Sequence, residues 1–175
     1  MAEAALRAGH QTTIILGPVA VPIPQAARRI DVQTAAEMSE AVLREFPEHD
    51  LLIMAAAVAD YRPKCQSPQK LTRDRARLLE LEPTEDVIAA AGKTKQGHQR
   101  TVGFSLESSS HMERVVDKLR KKNLDLIVYN PVRTIGADSI EPALVYADGR
   151  IEKGFNGLKR EFADTLIERA VELFQ

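Results

Sequence analysis

A group of polar residues follows a short apolar run near the middle of the chain, and its spacing suits ligand binding. Leu51 to Met54 is wholly apolar, as expected of a strand buried on both faces of a central parallel sheet. Three alanines follow, and then come Asp60, Tyr61, Arg62 and Lys64. Small residues after a strand let a ligand approach the backbone, and open α/β sheets bind ligands at that end of their strands. A buried strand that simply runs into a solvated loop fits the same spacing.

The loop that begins at Arg62 is rich in cations and contains two prolines. Its further cations are Lys64, Lys70, Arg73 and Arg75. One interpretation is a basic flap over an anionic ligand, because the loop adjoins the ligand end of the apolar strand. The other interpretation is a solvated loop, which is what most runs of charge are.

The composition limits the class of protein. A length of 175 residues suits one domain with a single core, spanning 1–175. The formal net charge is -1, from 24 Lys and Arg against 25 Asp and Glu, which provides no general field for nucleic acid or a membrane surface. The single cysteine, Cys65, excludes an internal disulfide and suits a reducing compartment. We therefore expect a cytoplasmic protein with neither a nucleic-acid nor a membrane partner.

Helix and strand patterns alternate along the chain. The chain opens with a helix that ends at Gly9, and Asp148-Gly149 is a preferred turn dipeptide between strands at 143–146 and 151–155. Other strands are predicted at 12–16, 30–32, 51–54, 78–81, 101–105 and 124–129, and other helices at 34–46, from Pro83, around 112–119 and at 158–174. This order predicts an α/β fold with a Rossmann-like, doubly wound, mainly parallel sheet and an appended C-terminal β-hairpin.

Five segments carry a more specific signal. They are Ala55-Ala-Ala-Val-Ala-Asp-Tyr-Arg-Pro, Pro68-Gln-Lys-Leu, Val102-Gly-Phe-Ser-Leu-Glu-Ser, Lys121-Lys-Asn-Leu-Asp-Leu-Ile-Val-Tyr-Asn and Gly157-Leu-Lys-Arg-Glu-Phe-Ala. Together they resemble the phosphopantothenoylcysteine synthetases, the phosphopantothenate–cysteine ligases of coenzyme A synthesis. The resemblance runs from Met1 to nearly the last residue, and its first and fourth segments are quite specific. In bacteria this domain usually follows a flavin-dependent decarboxylase domain, and no segment here resembles that partner.

The resemblance implies a two-step ligation. CTP activates the carboxylate of 4′-phosphopantothenate as an acyl-cytidylate, and the amine of cysteine then displaces CMP. Magnesium bridges the phosphates and takes few protein ligands of its own. The expected partners are these small molecules and a second copy of the chain in a homodimer.

The resemblance also implies a nucleotide site. Lys70 matches the family's flap lysine and is the implied catalytic residue, because a positioned cation stabilises the charge that develops as pyrophosphate leaves. The segment from Glu85 to Ile88 matches one that lies beside the base or ribose. The full set of implied nucleotide-binding residues is Ala55, Ala56, Asp60, Lys70, Glu85, Asp86, Val87, Ile88, Phe104, Lys118 and Lys122.

The sequence departs from the family at three points. The family segment Asn-Pro-Asp-Ile is Thr84-Glu-Asp-Val here, Lys-Ile-Lys-Lys is Lys70-Leu-Thr-Arg, and Asn-Asp-Val is Asn130-Pro-Val. Family chains also start earlier, with a strand, a glycine-rich turn and a stretch that binds the phosphopantothenoyl group. No residue of this sequence matches that stretch, so the substrate-binding residues are unknown. We accordingly expect these 175 residues alone to lack ligase activity.

Two other classes of function remain open. One is a non-catalytic remnant that keeps nucleotide affinity or only the fold. The other is a nicotinamide-dependent oxidoreductase, since doubly wound sheets host many chemistries. That second class requires a phosphate-binding turn, and none of the nine glycines forms a G-x-G-x-x-G pattern.

Overall fold

A computed structural model describes residues 1–65, 67–73, 76–107, 112–131 and 138–175. Arg75 of the predicted flap lies outside these ranges, as do Ser108 and Val132 of the family-like segments. None of the described helices has the length and apolar character that a membrane crossing requires.

The described helices and strands alternate along most of the chain. The helices are α1 (Ala2–Arg7), α2 (Ala35–Glu45), α3 (Val87–Thr94), α4 (Met112–Lys121) and α5 (Lys159–Glu172), with a 3₁₀ turn at Phe46–Glu48. The strands are β1 (Thr13–Leu16), β2 (Arg28–Asp31), β3 (Leu51–Met54), β4 (Tyr61–Pro63), β5 (Leu81–Pro83), β6 (Arg100–Glu107), β7 (Leu126–Pro131), β8 (Ser139–Ile140), β9 (Ala143–Tyr146), β10 (Ile151–Glu152) and β11 (Gly157–Leu158).

The main sheet has the order β10-β9-β7-β6-β3. Strands β3, β6 and β7 are parallel, and β9 and β10 add antiparallel to β7 as a hairpin. Gly149 at the hairpin turn has a φ of 92°, a conformation that glycine adopts without strain. The predicted α/β fold with a mainly parallel sheet and an appended hairpin is confirmed.

The prediction for Leu51–Met54 is wrong in one respect. We expected a strand buried on both faces at the centre of the sheet, but β3 pairs only with β6 among the described strands and its four residues are only half-buried. Strands β1 and β2 form a separate parallel pair. The cluster around α2 includes Ile15 of β1 and Leu52 of β3, so one helix covers parts of both sheets.

Helix α2 begins where its sequence predicts. The hydroxyl of Thr34 accepts a hydrogen bond from the Glu37 N–H at 3.1 Å, which satisfies one donor of the first turn. The Glu37 carboxylate accepts from the N–H of Gln33 at 2.7 Å, one residue earlier than in a standard capping box. Its apolar stripe, Met38, Ala41 and Val42, is buried.

Two predictions around residues 78–87 need correction. The strand expected at Leu78–Leu81 begins only at Leu81, and Leu78 is 98% exposed. Strand β5 pairs antiparallel with β4, so the basic loop extends from a two-stranded ribbon. Helix α3 begins at Val87, which leaves Glu85 before the helix and Asp86 as its N-cap.

Candidate functional site

The candidate residues gather around one edge of the main sheet. Because β3, β6 and β7 are parallel, their carboxyl ends lie at the same edge. Ala55, Ala56 and Asp60 follow β3, and all three are exposed. Asn130 lies at the carboxyl end of β7, in register with Leu106 of β6. This edge is where open α/β sheets bind ligands.

Thr84 attaches the segment before α3 to the loop after β3. Its N–H donates to the Asp60 carbonyl oxygen at 2.9 Å. Its hydroxyl donates to the carbonyl oxygen of Ala59. Two candidate segments that are distant in sequence, Ala55–Asp60 and Glu85–Ile88, therefore meet through backbone contacts.

The carboxylate of Glu85 is held from the helix on its other side. The hydroxyl of Ser39, on α2, donates to Oε2 of Glu85 at 2.5 Å. Ser39 is only 4% exposed, so this hydroxyl needs a partner and finds it in the carboxylate. The sequence does not single out Ser39, since a single serine beside a helix stripe carries no local signal.

Lys122 and Asp86 form an ion pair at the start of α3. Lys122 Nζ lies 2.8 Å from Oδ2 of Asp86, and both side chains are partly exposed. The other oxygen, Oδ1, accepts from the Ala89 N–H at 3.1 Å and caps α3. Two of the predicted nucleotide-binding residues are thus brought together, although they are 36 positions apart in sequence.

A close backbone contact holds Lys122 in place. A Cβ added to Gly92 of α3 would overlap the carbonyl oxygen of Lys122, so only glycine permits this approach. Asn123 follows with a φ of 53° and donates from Nδ2 to the Gly92 carbonyl oxygen at 2.8 Å. Lys95 donates to the Asn123 carbonyl oxygen at 2.8 Å and pairs with Asp125 at 2.7 Å.

Lys118 and Phe104 lie on opposite faces of β6. Lys118 Nζ donates to Ser105 Oγ at 3.3 Å, on the face that α4 covers. Phe104 instead packs against the cluster that contains Phe162 and Leu166 of α5. Successive side chains of a strand point to opposite faces, so only a ligand at the strand ends can reach both residues.

Asn130 is a further candidate. Its Oδ1 is buried and makes no hydrogen bond within the part of the chain that the structure describes. A buried amide oxygen without a donor is costly, which marks it as an acceptor for a ligand or water. The signal in the sequence was its position directly after a buried strand.

The remaining predicted residues take different positions. Val87 and Ile88 are buried in the core, so only their backbone groups can face a ligand. Lys70 is exposed in the basic loop, and among the described residues no hydrogen bond or ion pair connects it to the other candidates. Within the described residues, no three His, Cys, Asp or Glu side chains are grouped so that they could hold a metal ion.

A cavity of about 590 Å³ lies at the opposite edge of the sheet. It is lined by Arg150, Ile151, Glu152, Lys153, Arg169 and Glu172. Tyr146, next to this hairpin turn, pairs with Leu126 at the amino end of β7. Because ligands of open α/β sheets bind at the carboxyl edge, we place the candidate site there and not in this cavity.

Sequence comparison matches the chain to one family over nearly all its length. The sequence model of the DNA/pantothenate metabolism flavoprotein C-terminal domain matches residues 1–173. A cysteine/cysteine sulfinic acid decarboxylase from an unknown prokaryotic organism is 37% identical over 179 residues, 99% of this chain and 50% of that protein. The coenzyme A biosynthesis bifunctional protein CoaBC of Vibrio cholerae is 37% identical over 139 residues, 78% of this chain and 35% of that protein.

Structural comparison agrees with the sequence match. The crystal structure of the C-terminal domain of coenzyme A biosynthesis bifunctional protein CoaBC superimposes with a TM-score of 0.80 at 30% identity. The match covers 96% of this chain and 76% of that one. The chain spans half or less of the length of the two curated relatives. It belongs to the family of DNA/pantothenate metabolism flavoprotein C-terminal domains.

Proposed function

We propose that this protein joins 4′-phosphopantothenate to cysteine in coenzyme A biosynthesis. The observation that carries the proposal is the match over residues 1–173, together with relatives named as coenzyme A biosynthesis proteins. The placement of polar candidates at the carboxyl edge of the sheet supports it, because a ligand there can reach several segments at once. A cytoplasmic location fits such a role and the single, exposed Cys65.

The proposed reaction has two steps. The carboxylate of phosphopantothenate attacks the α-phosphorus of CTP, which releases pyrophosphate and leaves an acyl-cytidylate. The cysteine amine then attacks the acyl carbon, and CMP departs. Magnesium bound with the nucleotide would offset the charge of its phosphates and would need few protein ligands of its own.

Each candidate side chain has a role in this proposal. Lys118, beside Ser105 at the end of β6, and Lys70, in the exposed loop, provide positive charge for the phosphates. The exposed alanines at 55 and 56 leave space against the backbone. Lys122, held by Asp86, borders the same edge near the start of α3.

Nucleotide binding is tested by calorimetry on the 175-residue chain with CTP and with ATP, each with Mg²⁺. We expect CTP to bind more tightly. Equal or reversed affinities would remove the cytidine assignment.

The reaction is tested with the protein as its gene encodes it, by phosphopantothenate- and cysteine-dependent release of pyrophosphate from CTP. Nucleotide binding without such release would favour a non-catalytic remnant.

We also propose that the protein is a homodimer. The ribbon of β4 and β5 and its loop expose several large apolar side chains, namely Tyr61, Leu71, Leu78, Leu79 and Leu81, each at least half exposed. Exposed apolar patches of this kind mark interaction surfaces, and a second copy would cover this one. Sedimentation should report a dimer for the unaltered chain. The double variant Leu78→Lys, Leu79→Lys should be a monomer. A monomeric unaltered chain contradicts the proposal.

A further inference from the structure

The ion pair between Lys95 and Asp125 takes no direct part in the proposed reaction. Lys95 follows α3 and Asp125 directly precedes β7, so the pair lies near the amino edge of the sheet. We propose that Lys95 and Asp125 are positioning residues, which hold the ammonium of Lys122 where the nucleotide site needs it. This inference rests on the proposed function, because Lys122 is one of the residues that the proposal assigns to the nucleotide.

The pair is rigid because it is largely buried and has further hydrogen bonds. Lys95 Nζ lies 2.7 Å from Oδ2 of Asp125, and the two side chains are only 11% and 20% exposed. The same Oδ2 accepts from the N–H of Thr101 at 2.7 Å. A polar network whose groups are satisfied in this way holds one geometry, whereas an exposed ion pair moves freely. The pair thus joins the end of α3 to the beginnings of β6 and β7.

The same network fixes the backbone that follows Lys122. Besides Asp125, Lys95 Nζ binds the carbonyl oxygen of Asn123 at 2.8 Å. Asn123 has a φ of 53°, a conformation that persists where the surrounding structure determines it. Its Nδ2 donates to the Gly92 carbonyl oxygen at 2.8 Å. The residue next to Lys122 is therefore attached to α3 at two points.

Lys122 must reach along α3 to its partner Asp86. Its carbonyl oxygen lies so close to Gly92 that a Cβ there would overlap it. Asp86 is six positions earlier, about 9 Å along a helix that rises about 1.5 Å per residue. The four-carbon stem of Lys122 covers most of this length, which leaves it little slack. A shift of the backbone at Lys122 consequently moves the ammonium.

A purely structural role of the ion pair is the alternative, since breaking a buried pair destabilises a fold. Two observations favour positioning. The hydrogen bonds of Lys95 converge on Asn123, which is the neighbour of Lys122 in sequence. The Lys122 side chain also remains 31% exposed beside Asp86, so a ligand can reach it.

The sequence alone assigns no role to this pair. The family-like segment Lys121-Lys-Asn-Leu-Asp contains Lys122, Asn123 and Asp125, but the resemblance implies nucleotide binding only for Lys122. Lys95 lies outside all five family-like segments. Its connection to the site follows from the packing of α3 against the turn after α4.

The experiment measures the affinity for CTP with Mg²⁺ by calorimetry on the protein as its gene encodes it. Lys95→Met alone would leave a buried carboxylate unpaired, so it is combined with Asp125→Asn. This neutral double variant is made in the unaltered protein and in Lys122→Gln. The control is Arg28→Met, which removes a 2.5 Å ion-pair partner from Glu45, a side chain only 12% exposed and outside the candidate site.

Lys122→Gln should lower the affinity by about 10-fold, the usual effect of losing a hydrogen bond from a charged group. The neutral double variant should lower it by roughly 3- to 10-fold although Lys122 is intact. In Lys122→Gln the same double change should alter the affinity by less than about twofold, because it acts through Lys122. Arg28→Met should leave the affinity unchanged, even where its melting temperature falls by as much.

Asn123→Gly tests the same path with the ion pair intact. Glycine adopts the positive φ without strain, and the variant loses only the donor to the Gly92 carbonyl oxygen. Its affinity should fall by about two- to threefold in a folded protein. An unchanged affinity in both the neutral double variant and Asn123→Gly overturns this inference alone. An equal loss with and without Lys122 does so as well. If no nucleotide binds the unaltered protein, the proposed function is overturned together with the inference.

Discussion

The carboxylate of Asp86 contacts both the first turn of α3 and the ammonium of Lys122. Oδ1 accepts from the Ala89 N–H at 3.1 Å, and Oδ2 lies 2.8 Å from Nζ of Lys122. Because Lys122 directly follows α4, one side chain links the start of α3 to the end of α4. The stability of α3 and the position of a candidate nucleotide-binding cation are therefore coupled.

Two substitutions of Asp86 separate its two contacts. Asp86→Asn keeps a good N-cap and loses only the ion pair, which for partly exposed partners contributes up to about 1 kcal/mol. Asp86→Ala loses the cap as well, so its free energy of unfolding should be lower than that of Asp86→Asn by about 1 kcal/mol. Urea denaturation measures both values. Equal values for the two variants would mean that the cap contributes nothing to stability.

The close contact between α3 and Lys122 predicts a large effect of one methyl group. In Gly92→Ala the new Cβ overlaps the Lys122 carbonyl oxygen, and the backbone must shift at a cost of about 1–3 kcal/mol. Nucleotide affinity should fall too, because Lys122 moves with its carbonyl. Gly97→Ala is the matched control. A Cβ added at Gly97 would have no atom within 4 Å, so the stability of this variant should change little. Similar melting temperatures for the two variants would contradict this close contact.

Lys70 and Lys64 differ although they share one loop. Lys64 is paired with Glu80 at 2.6 Å, whereas Lys70 is exposed on a segment that matches the family's flap. If Lys70 stabilises the transition state, Lys70→Gln in the protein as its gene encodes it should lower ligation by about 10²-fold without changing the melting temperature. Lys64→Gln should retain most of the activity. Equal losses in steady-state assays would assign the effect to the total charge of the loop.

Tyr146 predicts a dependence of stability on alkaline pH. Burial, assisted by the hydrogen bond to Glu152, raises the pKa of the Tyr146 phenol to about 12. The unfolded phenol titrates near pH 10, so the protonated form favours the folded state and its contribution is complete below about pH 10. That contribution is lost as the pH rises from about 10 towards 12.

The variant Tyr146→Phe isolates this contribution. It should be less stable by about 1 kcal/mol at pH 8, where the phenol donates to Glu152 at 2.9 Å. The guanidinium carbon of Arg150 lies 3.7 Å from the centre of the Tyr146 ring. The phenyl ring of the variant keeps this stacking contact. The difference in unfolding free energy should narrow above pH 10. A difference that stays constant up to pH 12 would contradict the raised pKa.

The elements that the sequence predicts well are those whose signal is local. The Thr34 cap, the buried run in β7 and the hairpin around Gly149 each depend on residues within a few positions of one another. The strand expected at 78–81 was wrong because leucines alone do not form a strand without a partner. Strand β5 starts only at Leu81, where β4 provides a pairing partner.

The sequence by itself determined the α/β class, the order of most elements and which residues resemble a nucleotide-binding set. Whether β3 is central or at an edge depends on which strands pair, and that information lies in backbone hydrogen bonds between distant segments. The tertiary structure likewise decided that Glu85 meets Ser39, that Lys122 meets Asp86, and that Phe104 faces away from Lys118. The physical reason is that side-chain contacts across the chain follow from how the elements pack, and local periodicity does not contain that packing.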